Sequence, residues 1–156
     1  MTFKHLGGLA AVGSLLLCAL LASNPALAAL GGGVDSVSAD IHVLRGQLRS
    51  TPYVAYDQHQ IVTGALVVNE YVTRAGQVFA VTWQGPVPPD LRQLLGTYFG
   101  RVQSTAAADH RPGMHHFFSL VQSDLVVINS GRLRAFHGIA YLPALIPQGV
   151  SISQLQ

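Results

Sequence analysis

Four side chains in one short stretch could bind a metal ion: Asp109, His110, His115 and His116. A Zn²⁺ or Cu²⁺ site needs three or four ligands that converge at about 2 Å from the ion. On a strand, His115 and His116 would point to opposite faces, so only one of them could join His110 in a single site. The stretch has no recognised zinc spacing, and the competing interpretation is histidines of a loop and a strand edge that contact solvent. We expect no resident cofactor.

Three further residues could bind a ligand or a partner. An exposed Trp83 indole could stack on a sugar or another ring. Arg132 and Arg134 are placed on one side of a predicted strand, where they could bind an anionic polymer or a partner's carboxylates. Each also has a structural interpretation, because a single Trp at alternating strand spacing more often belongs to a core and two arginines often mark a solvated edge. We expect Trp83 to be buried.

A convergent catalytic set is not visible in the sequence. Nucleophilic hydrolysis needs an activated Ser or Thr beside an oriented His. The chain has no Gly-x-Ser-x-Gly motif and no spacing that brings such a trio together. Glycosidase chemistry needs two carboxylates a few ångströms apart, whereas the seven acidic residues are scattered one at a time. The pattern therefore favours a protein that is not an enzyme.

Glu70 is the acidic residue whose surroundings depend on strand register. A two- or four-residue turn after its strand would place Glu70 opposite Val81 on the apolar face and raise its pKa. A three-residue turn would place Tyr71 opposite Phe79 and turn Glu70 outward. Because an unpaired buried carboxylate is costly, we expect the outward register.

The first 28 residues predict export. Lys4 and His5 precede an apolar run over residues 6–22, and Ser23, Asn24 and Pro25 interrupt it. Residues 26–28, Ala-Leu-Ala, supply the small side chains that signal peptidase reads, so we expect cleavage after Ala28. The competing interpretation is an uncleaved membrane anchor. Export predicts a periplasmic or secreted protein that meets the membrane only through the signal peptide.

The composition narrows what the remaining chain, residues 29–156, can do. Hydrophobic residues make up 49% of the full sequence and charged residues 10%, which predicts a packed domain rather than a disordered chain. Cys18 and Lys4 both precede residue 29, so the exported part has no disulfide, thiol nucleophile or catalytic lysine. A net charge of +2 is too small to indicate a nucleic-acid surface.

The periodicity predicts the elements that position these side chains. Residues 36–48 have apolar residues at helical spacing, with Asp35 or Ser36 as the cap. Strands are expected within 53–57 and 61–73, and a turn at 74–77 leads into a strand over 78–84. Along that strand, Phe79, Val81 and Trp83 are expected on one face, towards the core.

The second half predicts a helix followed by more strands. Asp90 and Gln93 form a capping-box start for a helix that reaches about residue 103, and residues 104–113 are expected to be a mobile surface loop. Extended runs follow at 116–122, 125–129 and 133–141, with Ser130-Gly131 as the last turn, and the first two runs could form one bent strand. The fold class is therefore α+β: a single small domain with an antiparallel β-sheet and two helices packed against it.

Several segments resemble a known family. Residues 79–86, Phe-Ala-Val-Thr-Trp-Gln-Gly-Pro, and residues 89–96, Pro-Asp-Leu-Arg-Gln-Leu-Leu-Gly, resemble a family of short exported bacterial proteins known only as a domain of unknown function. Residues 29–32 are similar to the start of its mature chain, and residues 138–143 and 147–150 are similar to its end. The resemblance implies export and one compact domain, and it assigns no catalytic or binding residue.

Three functions remain open. The first is an exported, non-enzymatic binding module whose partner is an envelope protein or surface component; it requires a contiguous apolar or arginine-bearing patch. The second is a metal-binding protein or small periplasmic enzyme that uses segment 110–116. The third is a structural subunit of a surface assembly, which requires unpaired strand edges.

Overall fold

Seven strands form one antiparallel sheet in the part of the chain that the computed structural model describes, residues 30–108 and 117–155. The order across the sheet is β1-β2-β3-β4-β7-β6-β5, so the first four strands form a meander and the last three join it in reverse order. The strands are β1 Gln47–Pro52, β2 Tyr56–Val62, β3 Val67–Thr73, β4 Val78–Gly85, β5 Phe118–Val121, β6 Val126–Arg132 and β7 Ala135–Tyr141.

Three α-helices pack on one face of this sheet, which confirms the predicted α+β class. They are α1 Val34–Leu44, α2 Leu91–Leu95 and α3 Phe99–Ala108, with a 3₁₀ turn at Gly96–Tyr98 between the last two. Asp90 caps α2 as predicted, because its carboxylate accepts hydrogen bonds from the Arg92 and Gln93 backbone amides. The 3₁₀ turn interrupts the helix that was predicted from Asp90 to about residue 103. The helical segment then continues to Ala108, so the first part of the loop expected at 104–113 is helical.

The first helix is shorter than its apolar spacing predicted. It ends at Leu44 because Arg45 adopts a left-handed conformation, φ 51, and Gly46 then passes against Ile61. A Cβ on Gly46 would lie 2.4 Å from the Ile61 side chain, so only glycine fits there. The expected cap at Asp35 or Ser36 is wrong, since Gly33 is the N-cap residue. The chain instead enters β1, an exposed polar edge strand that the sequence did not predict.

The predicted hairpin of β3 and β4 is confirmed, but its expected register is wrong. Glu70 lies opposite Val81, and a bulge shifts the pairing so that Val72 faces Val78. Phe79 is the extra residue of this bulge and joins a different apolar cluster from Val81 and Trp83. The expectation that Phe79 shares a face with those two residues is therefore wrong, because the extra residue breaks the strict alternation.

The last three strands also correct the predicted turn. The expected turn at Ser130-Gly131 lies inside β6, and the connection to β7 is made by Leu133 and Arg134. Arg134 takes the left-handed conformation of this tight turn, φ 66. Strand β5 pairs with β6 along its own length, so the two runs before the turn are separate strands rather than one bent strand.

The two faces of the sheet are covered differently. On the helix face, an apolar core that includes Ile61, Val68, Val81, Trp83 and Val127 is packed by the three helices. On the opposite face, a smaller cluster around Tyr56, Tyr71 and Phe79 packs against the C-terminal segment, and the Tyr71 hydroxyl donates to the Leu155 carbonyl at 2.7 Å. The C-terminal segment covers one end of this face, and the other end is open.

No helix within the described residues is long and apolar enough to cross a membrane. The predicted signal peptide, residues 1–28, and the whole predicted metal-binding stretch, residues 109–116, lie outside the described residues.

Candidate functional site

A row of polar side chains crosses the open end of the opposite face. The cross-strand register places Arg49, Gln60, Asn69 and Thr82 side by side on β1, β2, β3 and β4. Asn69 Oδ1 accepts from the Gln60 side-chain amide at 3.0 Å, and the Asn69 amide donates to the Thr82 hydroxyl at 3.1 Å. Because Gln58 also donates to Asn69 Oδ1, at 3.1 Å, the Asn69 side chain is fixed in one orientation.

Gln60, Asn69 and Thr82 of this row form the floor of a groove with a volume of about 1050 Å³. The groove crosses five strands and reaches from the turn before β3 to the β6–β7 turn. Ligand pockets are commonly about 300–1000 Å³, so this groove has the size of a binding site. Its polar lining includes Gln60, Asn69, Thr82, Gln84, Ser130 and His137.

The charge around the groove is of one sign. Among the described residues that line it, Arg134 and His137 are the only ionisable ones, and none is Asp or Glu. Strand alternation also places Arg49 and Arg132 on this face. The two ion pairs found among the described residues, Arg74 with Asp57 and Arg101 with Asp124, leave these arginines without a carboxylate. The open end of the opposite face therefore carries uncompensated positive charge.

Arg132 and Arg134, which the sequence predicts on one side of a strand, lie in different elements of the structure. Arg132 ends β6 and Arg134 lies in the turn, so the predicted arrangement on a single strand is wrong. Arg134 lines the groove, and both side chains are exposed beside Leu133, which is 85% exposed. A role of either arginine in binding stays a prediction.

Trp83 belongs to the core, as expected, although its backbone strand also borders the groove. The residue is 2% exposed and its indole N–H donates to Asn129 Oδ1 at 3.1 Å. The ring lies over Gly138, where a Cβ would come within 2.3 Å of it. The exposed stacking platform considered above is therefore not present, and Trp83 supports the groove from behind.

On the helix face, directly behind this polar row, two carboxyl groups are buried together. Glu70 follows Asn69 along β3, so the two side chains point to opposite faces. Glu70 is 1% exposed and Asp40 of α1 is 0% exposed, and a hydrogen bond joins their carboxyl groups. The Gln93 side chain of α2 donates to Asp40 Oδ1. The expectation that Glu70 faces outward is wrong because Asp40, to which Gln93 donates, gives it a partner inside.

These two acids share a proton near neutral pH. Burial, followed by the bond to Asp40 and by that residue's charge, raises the pKa of Glu70 to about 9. Burial also raises the pKa of Asp40, while its hydrogen bonds to Glu70 and Gln93 act in the opposite direction. Two carboxylates in contact cannot both ionise, so one proton stays between them. Within the described chain, Asp40 Oδ2 and Glu70 Oε2 have no hydrogen-bond partner.

A serine–histidine contact also lies in this part of the sheet, and sequence spacing did not reveal it. The Ser50 hydroxyl lies 2.8 Å from His59 Nδ1, across β1 and β2. Glu70 lies opposite His59 on the neighbouring strand β3. Burial lowers the pKa of His59. Glu70 is protonated near neutral pH, however, so it cannot stabilise an imidazolium as a triad acid does.

The predicted metal ligands Asp109, His110, His115 and His116 lie outside the described residues. Within the described ranges, no group of three or more His, Cys, Asp or Glu side chains could hold a metal ion. Metal binding by segment 110–116 therefore stays a prediction.

Sequence reasoning missed the residues that build the groove. Gln58 and Gln60 alternate along β2, a period of two that is typical of polar residues on one face of a strand. That signal was present, but Asn69 and Thr82 join it only through the register of three strands. The Asp40–Glu70 pair had no local signal, because its members come from a helix and a strand 30 positions apart in the sequence.

Fold and site together define a single-sheet α+β domain with helices on one face and an open polar groove on the other. Residues 26–155 match the model of DUF2844, described as a protein of unknown function, so the chain belongs to this family. The family resemblance predicted from the sequence is thereby confirmed as membership of a domain of unknown function. No curated protein matches the chain, and no solved structure matches it.

Proposed function

We propose that this protein is an exported, non-enzymatic binding module whose groove holds a component of the cell envelope. The observation that carries the proposal is the groove itself, an open concavity of about 1050 Å³ on a sheet whose other face packs against the helices. Its floor is fixed by hydrogen bonds among Gln58, Gln60, Asn69 and Thr82. A polar floor that is held in place before binding loses little entropy when a ligand arrives.

The described lining of the groove has the polar groups that a binding surface needs. Its described lining offers amide, hydroxyl, imidazole and guanidinium groups but no carboxylate or thiol. Arginine at its rim supports the expectation of an arginine-bearing contact surface. The buried acids Asp40 and Glu70 are closed off from it, so they contribute to packing rather than to chemistry on a ligand.

Filling the groove tests this proposal. Ser130 lines the groove, whereas Ser119 is exposed on the same face of β5 outside it. Calorimetric titration would use four probes: soluble peptidoglycan fragments, maltohexaose, hexagalacturonate and a glutamate hexamer. We expect at least one probe to bind, Ser130→Tyr to abolish that binding and Ser119→Tyr to leave it unchanged. Binding that survives Ser130→Tyr, or the absence of binding by all four probes, would overturn the proposal.

Export rests on the sequence of residues 1–28 and has its own test. In a host with a signal peptidase, we expect the mature chain to begin at Ala29, which mass spectrometry of the purified protein measures. An Ala26→Leu and Ala28→Leu variant removes the small residues that the peptidase reads and should retain the segment. A wild-type protein that keeps residues 1–28 would instead favour the membrane anchor.

The metal-binding alternative predicts a different result. Zn²⁺, Cu²⁺ or Ni²⁺ would raise the unfolding midpoint of the protein, since a ligand that binds only the folded state stabilises it. A His110→Ala, His115→Ala and His116→Ala variant would lose this rise. We expect no rise in either protein, and a metal-dependent rise that the variant lacks would replace the binding module with a metal-binding protein.

A further inference from the structure

The side chains of the opposite face differ from those of the helix face in charge. Along the strands, alternation places Arg49 and Arg132 on the opposite face and Glu70 on the helix face. Arg134 is the guanidinium in the described lining of the groove. A groove whose described lining has a guanidinium and no carboxylate attracts an anionic ligand.

The floor of the groove favours a ligand rich in hydroxyl groups. Asn69 uses its amide within the row, which leaves the Gln60 carbonyl as an acceptor. Gln84 and Ser130 extend this neutral polar lining. Sugar hydroxyls both donate and accept hydrogen bonds, so they match such a mixed surface. An acyl chain would instead leave these polar groups without water or partners.

The position of the groove disfavours a peptide ligand. Extended peptides commonly bind by adding a strand to a sheet edge, where backbone N–H and C=O groups are unpaired. The groove lies over the central strands, whose backbone groups pair with neighbours on both sides. Recognition there depends on side chains, which suits a ligand that presents hydroxyl and acidic groups along its length.

From these observations we propose that the groove binds an acidic oligosaccharide, a hydroxyl-rich chain whose carboxylate is bound by Arg134. Guanidinium and carboxylate can form two parallel hydrogen bonds, which gives the contact both strength and direction. His137 lies in the same lining and Arg49 flanks the polar row, so further acidic groups of the chain meet positive or neutral side chains. This inference rests on the proposed function and names its ligand class.

Titration of the purified protein with hexagalacturonate tests the inference. The matched ligand is the same hexamer with its carboxylates methyl-esterified, which keeps the hydroxyls and removes the charge. We expect the esterified hexamer and the Arg134→Gln variant each to reduce affinity by about tenfold or more, the cost of one charged hydrogen-bonded contact. Arg92→Gln removes the same charge from the helix side, where Arg92 lies over the Phe99 ring, and should leave affinity unchanged.

Titrations with other ligands distinguish a failure of this inference from a failure of the proposed function. If maltohexaose or the esterified hexamer binds the groove as tightly as hexagalacturonate, the ligand is not acidic and the inference fails while the binding module stands. Equal binding of a glutamate hexamer would point to an acidic peptide and also overturn it. Binding only to vesicles of phosphatidylglycerol would replace the oligosaccharide with a membrane surface. If no probe binds the groove, both proposals fail together.

An Asn69→Ala variant separates hydrogen bonding from charge. It removes the residue that fixes the Gln60 amide and the Thr82 hydroxyl. We expect Asn69→Ala to lower the affinity for hexagalacturonate and for the esterified hexamer by the same factor, because both present the same hydroxyls. If Asn69→Ala binds both hexamers with the affinity of the wild type, the polar floor does not contribute to binding and the inference is contradicted.

Discussion

The helix face and the opposite face of the same sheet accommodate polar side chains in different ways. Asn69 and Glu70 are neighbours on β3, yet Asn69 joins an open hydrogen-bonded row and Glu70 is sealed against Asp40. On the helix face, burial forces a carboxyl to hold its proton. On the opposite face, neutral amides remain partly exposed and available to a ligand. A polar residue in a strand can therefore be assigned a function only when the face that it occupies is known.

Paired truncations in β4 give the largest expected contrast between the faces. Trp83→Ala on the helix face should reduce the free energy of unfolding by about 3–5 kcal/mol, because it leaves a cavity in a packed core. Gln84→Ala, the next residue and exposed on the opposite face, should change it by less than about 0.5 kcal/mol. Urea unfolding measures both values. Similar losses for the two variants would contradict the description of the opposite face as an open surface.

The pH dependence of stability should distinguish the buried acids from the rest of the protein. The pKa of Glu70 is raised to about 9, so between its ordinary value near 4.5 and 9 the folded protein holds a proton that the unfolded chain releases. Stability from this group is complete below pH 4.5 and is lost as the pH rises towards 9. The slope for one proton is about 1.4 kcal/mol per pH unit.

Glu70→Gln should remove that dependence and raise the unfolding midpoint at pH 8 relative to the wild type. Its neutral amide has no proton to release, so the two proteins should converge near pH 4. Asp35→Asn, an exposed acid in the first turn of α1, is the matched control and should follow the wild-type profile. A Glu70→Gln protein with the wild-type slope would show that the acid pair is not the source of the effect.

The surface ion pair between Arg101 of α3 and Asp124 of the β5–β6 turn should give the smallest effect, and its pH dependence should have the opposite sign. The hydrogen bond and charge of Arg101 lower the pKa of Asp124, so its contribution is present above the ordinary pKa and is lost as the pH falls. Both groups are exposed, and solvent screening makes such pairs weak. Asp124→Asn should therefore shift the midpoint only slightly, and less in high salt. A shift as large as that of Glu70→Gln would contradict this difference between buried and exposed charge.

The fold was predictable where the signals were local. Asp90 followed by an apolar stripe predicted the start of α2, and the turn after Thr73 predicted the β3–β4 hairpin. Strand β1 was missed because its exposed polar residues lack an apolar alternation. The bulge at Phe79 was missed because an extra residue in one strand leaves no mark on the sequence pattern.

The site was less predictable because distant residues build it. Glu70 was expected outside on a sound rule, that an unpaired buried carboxylate is costly, but Asp40 of α1 pairs with it and Gln93 of α2 donates to Asp40. The groove likewise depends on the register of five strands and on the C-terminal segment covering only one end of the opposite face. Arg134 was named from its residue type, while its position in the turn required the structure.

Side-chain amide signals in an NMR titration test the central claim, that the open end of the opposite face is the binding surface. The Gln60, Asn69 and Gln84 amides line the groove, and the Gln93 amide lies on the helix side against Asp40 as an internal control. On addition of hexagalacturonate to the ¹⁵N-labelled protein, we predict saturable shifts of the three groove amides and an unchanged Gln93 signal. Shifts of Gln93 with the three groove amides unchanged would contradict the account.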